Sequence, residues 1–282
     1  MFDDRWLKLI TDNGTVDVQE EIPGLLFLGA RESPPVAISN NVKMQGVDGE
    51  LPGIINYDPF NLTIYLGFDG YDIEDVDLAE QKIRGLFNTR TRYYVVHSQM
   101  PGKKYAVDPP DIGPPEFLDA TALTFEITFT VYKGYAESLY DTDQFSLMSD
   151  NWQFESGLLP DNEITYTHKR SNFEIFNGSS DTINPRMRHK LKIYMQLTAN
   201  NGFRLVNKTT GDIFQYKQAI DINTPLVLEG GYPYLIVNDK YSRCGRSTNH
   251  GIITLAPGYN KFEIWGNAAD VNIKFIFPFI YR

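Results

Sequence analysis

The clearest pattern in the chain lies at residues 123–132. Leu123, Phe125, Ile127, Phe129 and Val131 alternate with Thr124, Glu126, Thr128, Thr130 and Tyr132. A period of two sends alternate side chains to opposite faces of a pleated strand, so the apolar set predicts a buried face. Leu62, Ile64 and Leu66 alternate in the same way with Thr63 and Tyr65, and the short apolar run Leu25–Leu28 follows Pro23-Gly24. Arg92–Ser98 and Lys103–Val107 flank Gln99-Met100-Pro101-Gly102, which predicts a hairpin. The proline-rich stretch Asp108–Pro115 predicts a stiff extended connector. A 3.6-residue period occurs in one place. Val76, Ala79, Ile83, Leu86 and Phe87 share a face and predict a helix over about 76–88, with Asp77 as cap and Glu80 closing a capping box. Asp72, Glu74 and Asp75 lie just ahead, where the positive end of a helix dipole favours carboxylates; capping explains this cluster better than a calcium loop, which needs a different register.

The second half shows strands only. Leu191, Ile193, Met195 and Leu197 alternate with polar residues, as do Val271, Ile273, Phe275, Phe277, Phe279 and Tyr281. Turn signals at 207–211, Gly230-Gly231 and Pro257-Gly258 separate short apolar runs, which predicts an antiparallel sandwich. Without helical crossovers a parallel sheet is excluded. The fold class is therefore mainly β, with a sandwich or barrel-like first domain carrying one helix and a hairpin. The polar stretch Gly134–Asp143 marks a boundary, giving domains at 1–138 and 139–282.

Charge sharpens this division. Residues 1–135 carry 11 Lys and Arg against 21 Asp and Glu, whereas residues 136–282 carry 15 of each. All of the net −10 sits in the first half, which is a poor surface for nucleic acid because phosphate contacts need Lys and Arg. The start Met1–Arg5 is acidic where a secretory signal needs basic residues, and no apolar run is long enough to cross a membrane. The triplets at Asn61, Asn177 and Asn207 then carry no meaning as glycosylation sites. The lone Cys244 excludes an intramolecular disulfide and a paired-cysteine zinc site, and suits a reducing cytoplasm.

Catalytic chemistry has little to stand on. His97, His168, His189 and His250 show no metal spacing, and no nucleophile elbow, phosphate loop or dinucleotide fingerprint occurs. The reading is no enzyme, no cofactor, no metal and no catalytic residue. The 17 Tyr, 18 Phe and 3 Trp suit sandwich cores and also protein interfaces. Trp152, Trp265 and Tyr241 could offer flat faces to a sugar or a protein partner, so a carbohydrate-binding protein adhering to host cell-wall sugars is the alternative function.

The order of elements, taken with several segments, resembles the distal tail protein family of long-tailed, non-contractile bacteriophages. The segments are Gln45–Gly53, Leu86-Phe87-Asn88, Leu123–Tyr132 running into Tyr135–Ser138, Phe176-Asn177-Gly178 with Ile183-Asn184-Pro185, Arg204–Gly211 and Leu255–Phe262. The chain departs from the family pattern at Glu229-Gly230 and at Lys133-Gly134. The resemblance implies a galectin-like second domain and a hexameric ring, single or as two stacked rings, built from the first domains at the virion tail tip. It implies a ring that joins the tail tube protein to a tail-associated lysin or fibre-like protein and holds a receptor-binding protein, with DNA passing through unbound. No membrane takes part, and assembly falls in the bacterial host cytoplasm. Under this reading the hairpin residues Arg92, Tyr94, Met100, Lys103 and Tyr105 are the candidate subunit interface.

Overall fold

The computed structural model describes residues 5–119, 121–145, 152 and 164–282; the N-terminal run Met1–Asp4 lies outside the described residues. The chain forms two compact units, Met1–Leu139 with Arg282, and Tyr140–Tyr281.

In the first unit an antiparallel sheet runs in the order Gly14–Asp17, Leu7–Thr11, Tyr93–His97, Lys103–Val107, Ala122–Val131, Phe60–Asp69, Leu25–Glu32. The strand Ala122–Val131 lies fully paired against Phe60–Asp69, with Ile127 opposite Ile64. The alternation seen in sequence is the reason. Leu123, Phe125, Ile127, Phe129 and Val131 are all at most 2% exposed, and Leu62, Ile64 and Leu66 are fully buried beside them. Each such side chain contributes roughly 2 kcal/mol when removed from water. Leu28 sits in a bulge between the Phe27–Leu66 and Gly29–Tyr65 pairs.

The helix packs on this core through Val76, Ala79, Ile83 and Phe87, the last edge-on to Phe129 at 5.9 Å. It spans Ile73–Phe87, one turn earlier than the apolar periodicity predicts. Asp72, not Asp77, is the cap: its carboxylate accepts from the Asp75 backbone N–H at 2.9 Å, and the Asp75 carboxylate accepts in turn from Tyr71 N–H at 3.1 Å. Glu80 pairs with Arg84 along the helix rather than closing a capping box. The first turn was hidden from the hydrophobic pattern because its apolar member, Ile73, is exposed. A second, one-turn helix at Val18–Glu21, capped by Asp17, also lies beyond the single helix read from sequence. The proline stretch is not merely a connector, since Asp111–Ile112 pairs with Ile127 and Thr128.

The second unit holds two antiparallel sheets. The larger runs Thr167–His168, Ala269–Ile276, Lys192–Thr198, Leu226–Glu229, Tyr232–Val237, Lys240–Arg243. The smaller runs Asn172–Asn177, Gly258–Trp265, Phe203–Asn207, Ile213–Tyr216. Phe173 and Phe262 of the smaller sheet meet Phe275 of the larger at 6.0 and 4.9 Å, so the sheets form a sandwich with an aromatic core. Its helical elements among the described residues are short 3₁₀ turns.

Candidate interaction surfaces

The hairpin Tyr93–His97 with Lys103–Val107 pairs Tyr94 with Ala106 and Val95 with Tyr105. It lies inside the sheet, so its residues divide sharply. Tyr105 is fully buried and its hydroxyl donates to the Glu32 carboxylate, while Lys103 is 4% exposed. Neither side chain offers surface to a neighbour. Arg92 is exposed, and Tyr94 and Met100 are half-buried. Arg92 is held by Asp108 at 2.6 Å and lies 4.5 Å from the Tyr132 ring centroid, and the hydrogen bond to Asp108 pushes its already high pKa up further.

Tyr94 belongs to a polar knot. Lys133 Nζ donates to Tyr94 Oη at 3.2 Å and to Glu137 at 2.8 Å. The Glu137 side chain is 4% exposed, so its carboxylate is held away from water. Burial works to lower the Lys133 pKa, but the Glu137 charge and hydrogen bond outweigh it and hold the ammonium charged. Burial, reinforced by Glu137, pushes the Tyr135 phenol up to about 12. Sequence reading missed this knot because Lys133 and Glu137 fall beyond the periodic part of the strand.

His97, at the foot of the hairpin, is 2% exposed. Its ring stacks on Tyr105 at 5.5 Å and 11°, with Phe27 at 5.8 Å on another side. Neither ring nitrogen has a hydrogen-bond partner among the described residues. Burial, helped by the Lys103 charge, lowers its pKa to about 4.

The aromatic residues singled out in the second unit are not brought together. Trp152 is buried against Phe145 and Phe279 at 4.9 and 5.2 Å, so it serves the core. Tyr241 is exposed on the edge strand of the larger sheet, edge-on to Tyr234. Trp265 is exposed on the smaller sheet, where it stands opposite Arg204, which stands opposite Gln215. These three border a shallow cavity of about 250 Å³. Asn177 and Asn207, read only as triplets and turn residues, are fully buried with Asn260. Asn207 donates to Thr254 O at 2.8 Å, Asn177 to Leu255 O at 2.9 Å and Asn260 to Ala256 O at 2.7 Å. These amides pin the loop that enters Gly258–Trp265, and a local pattern in sequence gives no sign of it.

No group of three His, Cys, Asp or Glu among the described residues could hold a metal ion, and no helix there is long and apolar enough to cross a membrane.

Residues 12–131 match the phage tail protein RIFT-related domain family. Among solved structures, the chain is similar to the Dit (gp 19.1) protein of phage SPP1, described as a paradigm of the hub adsorption apparatus in phages infecting Gram-positive bacteria. The likeness has 10% identity and a TM-score of 0.65, and covers 98% of this chain and 99% of that one. A chain of the phage p2 baseplate in its activated conformation also matches, with 10% identity, 96% and 97% coverage and a TM-score of 0.41. No curated protein sequence matches. Residues 12–131 are thus similar to the phage tail RIFT-related domain, and over nearly its full length the chain has the fold of the SPP1 Dit protein.

Proposed function

We propose that this structural tail protein is a baseplate hub component that closes into a hexameric ring at the virion tail tip. The observation that carries the reading is the phage tail domain within the first unit, on a chain whose whole length follows a hub protein's fold. Residues 1–138 build the ring, as one copy or two stacked, and residues 139–282 form a galectin-like platform outside it. The ring joins the tail tube protein to the tail-associated lysin or fibre-like protein, and the platform holds a receptor-binding or other baseplate protein. The net −10 of the first half suits a channel wall that lets DNA slide past without sticking. Arg92, Tyr94 and Met100, which keep some exposed surface, remain candidates for subunit contact. Assembly takes place in the bacterial host cytoplasm, in keeping with a single buried thiol at Cys244. The role is mechanical, with no catalytic step and no cofactor. The carbohydrate reading gains no support, since Trp152 is buried and Trp265 and Tyr241 sit on different sheets.

Electron microscopy of the purified protein tests this. Six-fold rings with an open centre are the expected image; compact particles with no channel would refute the ring.

A further inference from the structure

Among the described residues the two sheets of the second unit have four edges, and three of these are closed or very short. Asn249 closes Ile213–Tyr216. Its backbone N–H donates to Gln215 O at 3.1 Å, its Oδ1 accepts from Gln215 N–H at 2.8 Å and its Nδ2 donates to Ile213 O at 2.9 Å. Along Asn172–Asn177 the Tyr166 hydroxyl donates to Phe176 O at 2.9 Å, and the His168 ring bonds the Glu174 backbone. Thr167–His168 is only two residues long. Covering or shortening an edge keeps a sheet from adding another strand.

Lys240–Arg243 is treated differently. It ends the larger sheet, and all four of its residues are exposed. The pairing decides which backbone groups point outward. Ile236 N–H donates inward to Pro225 O at 2.8 Å, so Leu235 and Val237 turn to their partners Ser242 and Lys240. Cys244 N–H donates to Pro233 O at 3.1 Å in the same phase. Backbone direction alternates along an antiparallel strand. Tyr241 and Arg243 therefore present their N–H and C=O groups to the open side, where no described residue meets them. The two-residue turn Asn238-Asp239, with φ of +49° and +59°, holds this register.

The side chains around the edge select a partner. Leu226 and Leu228 pair with Leu235 and Pro233 on the core face, so Tyr232, Tyr234 and Tyr241 share the opposite face. Tyr232 and Tyr241 are each more than half exposed. Lys192 stands 5.7 Å from the Tyr241 ring centroid, and Arg243 stands 5.6 Å from that of Tyr232. Tyrosine and arginine are enriched among the residues that dominate binding at interfaces. The strands Lys192–Thr198, Leu226–Glu229, Tyr232–Val237 and Lys240–Arg243 carry Lys192, Lys240 and Arg243 against Glu229, with Asp239 in the turn. That excess of positive charge repels a second copy of the same edge and attracts carboxylates.

We propose that Lys240–Arg243 receives an extended, acidic segment of another protein, which adds to the larger sheet as a further strand. The outward groups of Tyr241 and Arg243 hold its backbone, and Lys192 and Arg243 take its carboxylates beside the tyrosine rings. The contact goes beyond the ring reading. It belongs to the second unit and stands whether or not six chains close.

The test titrates the full chain into a fluorescein-labelled peptide, Glu-Val-Glu-Val-Glu-Val, and reads anisotropy. Saturable binding is expected, and the same peptide with Lys in place of Glu should bind at least about tenfold more weakly. Two further peptides carry N-methyl groups on the Glu residues or on the Val residues. Only one set meets the edge, so one of these peptides should bind about tenfold more weakly than the other. Tyr241→Pro removes an outward N–H that makes no ladder bond, so circular dichroism should be unchanged while binding weakens about tenfold. No saturable binding by the wild type overturns the proposal, as does equal binding of the two N-methylated peptides, a comparison that needs no variant. Wild-type affinity in a folded Tyr241→Pro chain overturns the choice of edge. Equal binding of the Lys peptide overturns the acidic partner.

Discussion

His97 makes the stability of the first unit depend on pH in a way that can be worked out. The ring is sealed between Tyr105 and Phe27, with the Lys103 ammonium nearby and the Glu32 carboxylate engaged by the Tyr105 hydroxyl. Its nitrogens have no partner among the described residues, so a proton gained there brings a buried charge with nothing to receive its N–H groups. Burial and Lys103 lower the pKa from 6.5 to about 4 in the folded chain. The unfolded chain therefore binds the proton more readily, and the stabilisation from a neutral ring is complete above pH 6.5. It is lost as pH falls from 6.5 to about 4. The full loss is about 3 kcal/mol, of which about 2.5 kcal/mol is gone by about pH 4.5. Phe in place of His97 keeps the stack on Tyr105 and removes both the proton and the bare nitrogens. Hydrogen exchange at the amides of Tyr93–His97 and Lys103–Val107 reads the opening free energy of the first unit directly. Between about pH 7 and about pH 4.5 the wild type should lose about 2.5 kcal/mol more than His97→Phe. Parallel loss in the two proteins would refute the reasoning.

Further substitutions test the buried polar contacts and the helix cap. Lys133→Met strands the Glu137 carboxylate in a site that is 4% exposed, and should cost about 3–5 kcal/mol in urea unfolding, with most of it recovered by adding Glu137→Leu. Asn260→Leu removes the amide that bridges Ala256 and Asn207, and about 2–4 kcal/mol should be lost from the second unit, read as a lower denaturant midpoint. Asp72→Ala removes the helix cap and should cost about 1 kcal/mol, whereas Asp77→Ala should cost a few tenths at most, a contrast that thermal melts would register.

Much of the fold was legible because it is written in strict alternation. The strands at 60–69, 122–131 and 192–198 each bury one face and leave the other mostly half-buried or exposed, and a period of two reports that directly. The helix was legible through its buried face, but its first turn was not. Asp72 caps by a hydrogen bond, and the apolar residue that follows faces water. The burial of Lys103 and Tyr105 escaped because a hairpin in sequence does not reveal whether its strands lie inside a sheet or project from one. The strand pair Ala37–Ser39 and Ile55–Tyr57 escaped for another reason: both strands are exposed, so there is no buried face for a period of two to report. The hydrogen bonds of Asn177, Asn207 and Asn260 join residues up to 85 positions apart and have no local signature.

The central claim is that the chain works as a closed ring, and the mass of the wild-type protein in solution tests it most directly. Light scattering coupled to size exclusion should give a mass close to six times 32.2 kDa, or twelve times for two stacked rings. A mass of 32.2 kDa that persists as the concentration is raised would contradict the account.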